Sequence, residues 1–299
     1  MKKIFFTILI SITFLVILFG CEDEVTLDLP DAPPVLVVDA FINDLPREQK
    51  VILTLTQPYF SETLPEGVSG AAVSVVDDLG NTFGFTETSA GIYSWIPGPG
   101  ETIGDVGRSY ELNVSYDGYS YIASSEMKRV PPVDSVVFTY EEEETPFQDA
   151  GYYAEFVAKD FVGPGDYYWI KSYKNDTLLL RPFELNIAAD AGFSPGIDGV
   201  VFIQPIQNAV NPLDDDLSVI PFEPGDSLYV EILSLTEEAW EFLNQVGIQT
   251  QRDGGFDEIF AEPLENVPTN LRTDQEDAPP VVGFFSVSAV EGNGKLLRE

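Results

Sequence analysis

Period-two alternation of apolar and polar residues runs through most of the chain and predicts strands rather than helices. Val51-Ile52-Leu53-Thr54-Leu55-Thr56 alternates in this way, and Val35-Leu36-Val37-Val38-Asp39-Ala40-Phe41-Ile42 is a second strand candidate. Residues 71–76 lead into the turn cluster Asp77-Asp78-Leu79-Gly80-Asn81, from which Thr82-Phe83-Gly84-Phe85 returns. Gly91-Ile92-Tyr93-Ser94-Trp95-Ile96 adds a short strand. The firmest local reading is Tyr110-Glu111-Leu112-Asn113-Val114-Ser115-Tyr116, then Asp117-Gly118, then Tyr119-Ser120-Tyr121-Ile122-Ala123. Asp-Gly between alternating apolar runs marks a hairpin, because its turn needs positive φ. About seven short strands at this spacing fit an immunoglobulin/transthyretin-like β-sandwich over residues 35–130. Pro131-Pro132 closes it.

A second β-rich unit is expected over residues 131–299. Val133-Asp134-Ser135-Val136-Val137-Phe138-Thr139-Tyr140 opens it, and the acid run Glu141-Glu142-Glu143-Glu144 reads as a solvated loop. Further strands fall at residues 152–159, 167–173, 177–180, 228–233 and 281–290, with a turn at Asn175-Asp176. Residues 190–224 are rich in Gly, Pro and Asp and too long for a plain connection, so they read as a functional loop. One helix is expected, at about 236–247. Thr236 is its N-cap, Glu237 and Glu238 sit well in its first turn, and Gly247 ends it. Ala239, Phe242, Leu243 and Val246 recur at i, i+3, i+4 and i+7 and give it one apolar face. The fold class is therefore mainly β: two β-sandwich-like domains, the second carrying a single helix.

Both domains follow a leader. Met1-Lys2-Lys3 is basic, residues 4–19 are almost wholly apolar, and Gly20 is the small residue a signal peptidase needs. The apolar run is short of the roughly 20 residues a membrane span requires. Leu18-Phe19-Gly20-Cys21 resembles a bacterial lipoprotein signal, in which the thiol takes up diacylglycerol and the mature chain starts at the cysteine. Residues 1–20 are accordingly the signal peptide, Cys21 the lipidation site, and residues 21–34 an acidic, lipid-anchored tether. Cys21 is the chain's single cysteine, so no disulfide is available.

The net charge is −35, and removing residues 1–20 takes Lys2 and Lys3 but no acid, leaving 13 basic groups against 50 acidic ones. A surface at −37 repels phosphate backbones and excludes nucleic acid as a partner. It also repels an anionic membrane surface, so acyl chains must hold the protein there, at about 0.8 kcal/mol per buried methylene. With 44% hydrophobic and 12% aromatic residues the chain nonetheless builds a core.

Catalytic motifs appear only in outline. Gly225-Asp226-Ser227-Leu228 has the letters of a serine-esterase signature, but the chain contains no histidine to act as base. Ser125-Glu126-Met127-Lys128 matches Ser-x-x-Lys, a pairing that works only when a helical turn stacks the two residues. No catalytic residue is predicted. Calcium is the one metal the composition suits, through Asp214-Asp215-Asp216 or Asp253-Gly254-Gly255-Phe256-Asp257-Glu258, but neither has the alternating spacing of a calcium loop. No metal site or cofactor is expected. Tyr116, Tyr119 and Tyr121, or Tyr167, Tyr168 and Trp169, are candidate sugar-stacking platforms, against the commoner use of strand aromatics in a core.

Ordered pieces along nearly the whole mature chain resemble the domain-of-unknown-function 4249 family of Bacteroidota lipoproteins. They are Cys21-Glu22-Asp23-Glu24-Val25-Thr26-Leu27-Asp28-Leu29-Pro30, Val35-Leu36-Val37-Val38-Asp39-Ala40, Gly70-Ala71-Ala72-Val73-Ser74-Val75 and Gly91-Ile92-Tyr93. Tyr121-Ile122-Ala123-Ser124, Pro131-Pro132-Val133-Asp134-Ser135-Val136, the helix near Trp240, Asn270 and Gly283-Phe284-Phe285-Ser286 follow. The resemblance implies a surface-exposed outer-membrane lipoprotein, often encoded beside a TonB-dependent transporter. It also implies that Glu22, Asp23 and Glu24, directly behind the lipidated cysteine, act as a signal for export to the outer face. The expected function is a non-catalytic accessory of such a transporter in nutrient capture. The alternative is a stand-alone glycan-binding or adhesin-like surface lipoprotein. Partners implied are outer-membrane lipid through acylated Cys21 and the transporter.

Overall fold

The alternating runs fold as strands in a computed structural model, which describes residues 33–58, 61–142, 149–190, 199–252 and 266–298. Cys21, Glu22, Asp23, Glu24 and the leader lie outside the described residues. The chain is mainly β. Seven strands of the first half are β1 (Leu36–Asn43), β2 (Gln49–Leu55), β3 (Ala72–Asp77), β4 (Thr82–Ser89), β5 (Ile92–Trp95), β6 (Ser109–Tyr116) and β7 (Tyr119–Glu126). They are followed by β8 (Val133–Glu141), β9 (Gly151–Ala158), β10 (Tyr167–Lys174), β11 (Thr177–Leu179), β12 (Asn186–Ala189), β13 (Ser227–Leu235), β14 (Val281–Ser288) and β15 (Val290–Leu296).

The first sheet has eight strands in the order β14-β1-β2-β5-β4-β3-β6-β7. Alternate residues turn inward, so Leu36, Val38, Ala40 and Ile42 of β1 share a core with Val75, Leu112, Val114, Phe285 and Val287. The facing layers expected of a sandwich are continuous through β4 and β5, where a bulge between Glu87 and Ser89 bends the ladder. The sheet thereby curls into a nearly closed barrel. The Asp117-Gly118 turn has the two positive φ angles it needs, 51° and 83°.

The barrel's seam lies between β7 and β14, which no ladder joins. An extended segment fills it. Ile122 and Arg272 exchange backbone hydrogen bonds of 2.8 Å each way. Asn270 Nδ2 donates to Phe285 O (2.8 Å) and Ser124 O (3.3 Å), and its Oδ1 accepts from Phe285 N (3.0 Å). One side chain thus occupies the place of a strand's backbone between two edges.

The second sheet runs β11-β10-β13-β15, with β12 also on β10, and β8 and β9 form a separate hairpin. Phe156, Tyr168, Ile170, Val230 and Ile232 form its core together with Phe202, Ile206, Val210 and Phe222. Residues 190–224, read as a functional loop, thus also serve the second core through their described part. Their described part carries a short helix, Gln204–Asn208, and its apolar residues cover the second core. Asn211 stitches it down, accepting from Ala154 N and donating to Ala154 O, both at 2.8 Å.

Residues 281–290, expected as one strand of the second unit, are two strands in two sheets. β14 lies parallel to β1 in the first sheet, and β15 lies antiparallel to β13 in the second. Gly283 permits the parallel ladder: at φ 104° a Cβ would stand 2.0 Å from Val38 O. The helix is Glu237–Thr250 rather than 236–247. Thr236 caps it as expected, accepting from Ala239 N at 3.2 Å. Gly247 does not end it; a Cβ there would reach Leu185 at 3.4 Å, so the glycine serves close packing.

Replacing Asn270 with alanine removes three hydrogen bonds at the seam, each worth about 1 kcal/mol net. The expected outcome is a loss of about 2–3 kcal/mol in urea unfolding, with Asn270→Asp intermediate because it keeps the acceptor.

Candidate functional site

The outer face of β1 carries Val37, Asp39 and Phe41, opposite to its core-facing set. On β14 the neighbour of Asp39 is Phe284, and on β2 it is Ile52. β10 and the long helix Glu237–Thr250 pack over this face. Phe242 of the helix stacks on Phe284 with ring centroids 4.8 Å apart, and Phe41 meets Trp169 edge-on at 5.5 Å. Trp169, Leu233, Leu235, Ala239, Leu243, Phe284 and Val290 form a third core here, between the two sheets.

Above that core the packing opens into a cleft of about 400 Å³. Its walls are Val37, Phe41, Trp169, Leu185, Phe242 and Val246, with Asp39, Arg181 and Thr250 as the polar members. A largely apolar concavity with a few convergent polar groups at a junction of elements is the usual form of a small-molecule site.

Asp39 lines the cleft and Lys171 lies against its Trp169 wall, and among the described residues neither forms an ion pair within 4 Å. Asp39 reaches solvent through the mouth, yet the packing around its carboxyl raises its pKa, with Lys171 partly offsetting this. The Lys171 ammonium sits 3.7 Å from the centroid of the Trp169 ring. Burial brings its pKa down to about 8, against the pull of Glu231 and Asp39. Beside them Arg47 grips Glu231 with two hydrogen bonds, 3.1 and 3.3 Å, and Tyr173 Oη donates to Glu231 at 2.9 Å. Burial and the Glu231 carboxylate push the Tyr173 phenol up to about 12. Glu231 is buried, so this fork satisfies a carboxylate that would otherwise be stranded.

The residues singled out from the sequence lie elsewhere. Ser227 starts β13, where its N–H donates to Asn175 Oδ1 at 2.8 Å. Ser125 is buried within β7 and accepts from Val287 N at 3.1 Å. Lys128 instead pairs with Glu126 at 2.8 Å, and an extended backbone gives no stacked Ser-x-x-Lys turn. Asp214 Oδ1 accepts from Asp216 N and Ser218 N, a self-contained turn, and Asp215 pairs with Arg181. Asp253 through Glu258 lie outside the described residues. Among the described residues there is no group of three or more acidic or other metal-binding side chains that could hold a metal.

The aromatic triplets do not form platforms. Tyr121 is in the first core, and Tyr168 is fully buried, donating to Asp160 at 2.6 Å. Sequence reading passed over Asp39 and Lys171. The available signal was a lone charge inside each of two otherwise apolar or aromatic runs.

No helix among the described residues is long and apolar enough to cross a membrane. The family described as "Domain of unknown function (DUF4249)" matches residues 22–293. Among curated proteins none matches the chain.

Burial of Lys171 makes stability depend on pH. Its folded pKa is about 8 and its ordinary value 10.5, so between these the unfolded chain holds a proton the folded chain has released. Stability from this group therefore rises as pH climbs from about 8 to 10. Urea midpoints should show that rise in the wild type minus Lys171→Met difference profile, with the methionine variant the more stable at pH 7.

Proposed function

We propose that this chain, which belongs to the DUF4249 family, is a lipid-anchored outer-membrane protein facing the cell exterior. It acts there as a non-catalytic accessory of a TonB-dependent transporter, and the cleft between the sheets captures an apolar small nutrient for transfer. The observation that carries this reading is the boundary at Cys21. The family match begins at residue 22, directly behind the chain's single cysteine, and the twenty residues before it have the basic start, apolar run and small residue of a leader.

Three further features support it. The carboxylates Glu22, Asp23 and Glu24 follow the anchor at once, as an export signal would. A chain without histidine lacks the commonest general base, which favours binding over hydrolysis. An acyl tether confines the protein to the membrane plane, where even a weak contact with a transporter is amplified by effective concentration.

Cys21→Ala is expected to abolish acylation, read by metabolic labelling with an alkyne fatty acid. Alanine at Glu22, Asp23 and Glu24 together is expected to leave acylation intact and to protect the protein from protease added to whole cells. Equal cleavage of wild type and triple variant would remove the export role. Loss of transporter copurification in Cys21→Ala, with folding retained, is the outcome expected for the accessory role.

A further inference from the structure

The molecule contains a second seam, and it is open at one end. Among the described residues β15 pairs with β13 alone and β8 with β9 alone, so two edges face each other with no ladder between them. Asn293 ties them at one point, donating from Nδ2 to Val133 O (3.0 Å) and Asp134 O (3.3 Å). Towards Phe138 and Leu296 the edges part around a cavity of about 570 Å³, lined by Phe138, Tyr152 and residues 294–298.

We propose that this open seam receives an extended, acidic segment of a partner protein, which adds as a strand between β15 and β8. The first seam shows how such a gap is filled: there the segment carrying Asn270 and Arg272 inserts between β7 and β14 and bonds to both edges. Among the described residues, the second seam has the tethering asparagine and lacks the segment. Exposed backbone edges are templates for strand addition, in which main-chain hydrogen bonds hold the guest and pockets select its side chains.

The side chains specify the guest. Phe138, Tyr152 and Leu296 offer an apolar pocket, and Leu296 is about half exposed (48%). Lys295 and Arg298 flank the pocket, and neither forms an ion pair within 4 Å among the described residues. In a chain with 15 basic and 50 acidic residues, two cations at one seam, with Lys295 standing 6.0 Å from the Phe138 ring centroid, favour an acidic guest.

The test uses the full-length protein in detergent and a fluorescein-labelled octapeptide of alternating glutamate and valine. Two companions accompany it: one with lysine for glutamate, and one N-methylated at alternate backbone positions. Binding by anisotropy is expected for the acidic peptide, at least tenfold weaker for the lysine peptide, and absent for the N-methylated one. Bound peptide should slow amide exchange at Leu296. The exposed pair Lys295→Glu, Arg298→Glu should keep its thermal melt and lose at least tenfold in affinity. Equal binding of acidic and lysine peptides, full binding of the N-methylated peptide, or no binding at millimolar peptide would overturn the proposal. A concentration-dependent dimer lost in the double variant would overturn it in favour of a second copy.

Discussion

The architecture depends on a single crossing at Ala289. The chain leaves the first sheet at Ser288 and enters the second at Val290, and each step of the passage is hydrogen-bonded. Ala289 exchanges bonds with Ser234, giving its N–H to Ser234 Oγ (2.9 Å) and taking Ser234 N (3.0 Å). Val290 N donates to Asp44 Oδ1 (3.0 Å) and Asp44 N to Ser288 O (3.2 Å). Buried backbone groups must be paired, and here the pairing partners come from both sheets. The Arg47–Glu231 fork repeats the connection with side chains. Held in this way, β10 and the long helix stand over β1 and β14, and the cleft is the space left between them.

Much of the fold was legible in the sequence, for physical reasons that differ by element. β6 and β7 were plain because an Asp-Gly turn fixes register locally. The helix start was plain because Thr236 caps it, but its end was not, because Gly247 has the letter of a stop and the role of a packing surface. Strand β12 and the split at Ala289 left no local trace. Nothing in Val281-Val282-Gly283-Phe284-Phe285 says which sheet will claim it; the answer depends on β1, far away in sequence. The cleft was illegible for the same reason, since its walls come from five separate stretches of chain. The anchor proposed at Cys21 rests on sequence order alone, since the leader and the cysteine lie outside the described residues.

The chain's acidity is managed by keeping acids outside and assigning donors to the few within. Asp166 receives Arg129 at 2.8 and 2.5 Å, Asp77 receives Asn81 Nδ2 at 2.8 Å, and Glu231 receives Arg47 and Tyr173. Asp160 takes Tyr168 and Phe161 N on one oxygen, while its other oxygen is buried without a partner, and burial raises its pKa. Asp39 differs from these, because its carboxyl faces the cleft with no assigned donor.

The parallel pairing of β1 with β14 also governs how the chain reaches this state. Leu36 meets Val281, 245 positions later, so the barrel cannot close until almost the whole polypeptide has been made. Until then β1 keeps one edge bare and its core residues half covered, the condition in which extended chains mispair with neighbours. Pairings this distant carry a large loop-closure cost and make folding slow. Heavy negative charge keeps such unfinished chains apart, so the acidity that shapes the finished surface has earlier work to do, during synthesis.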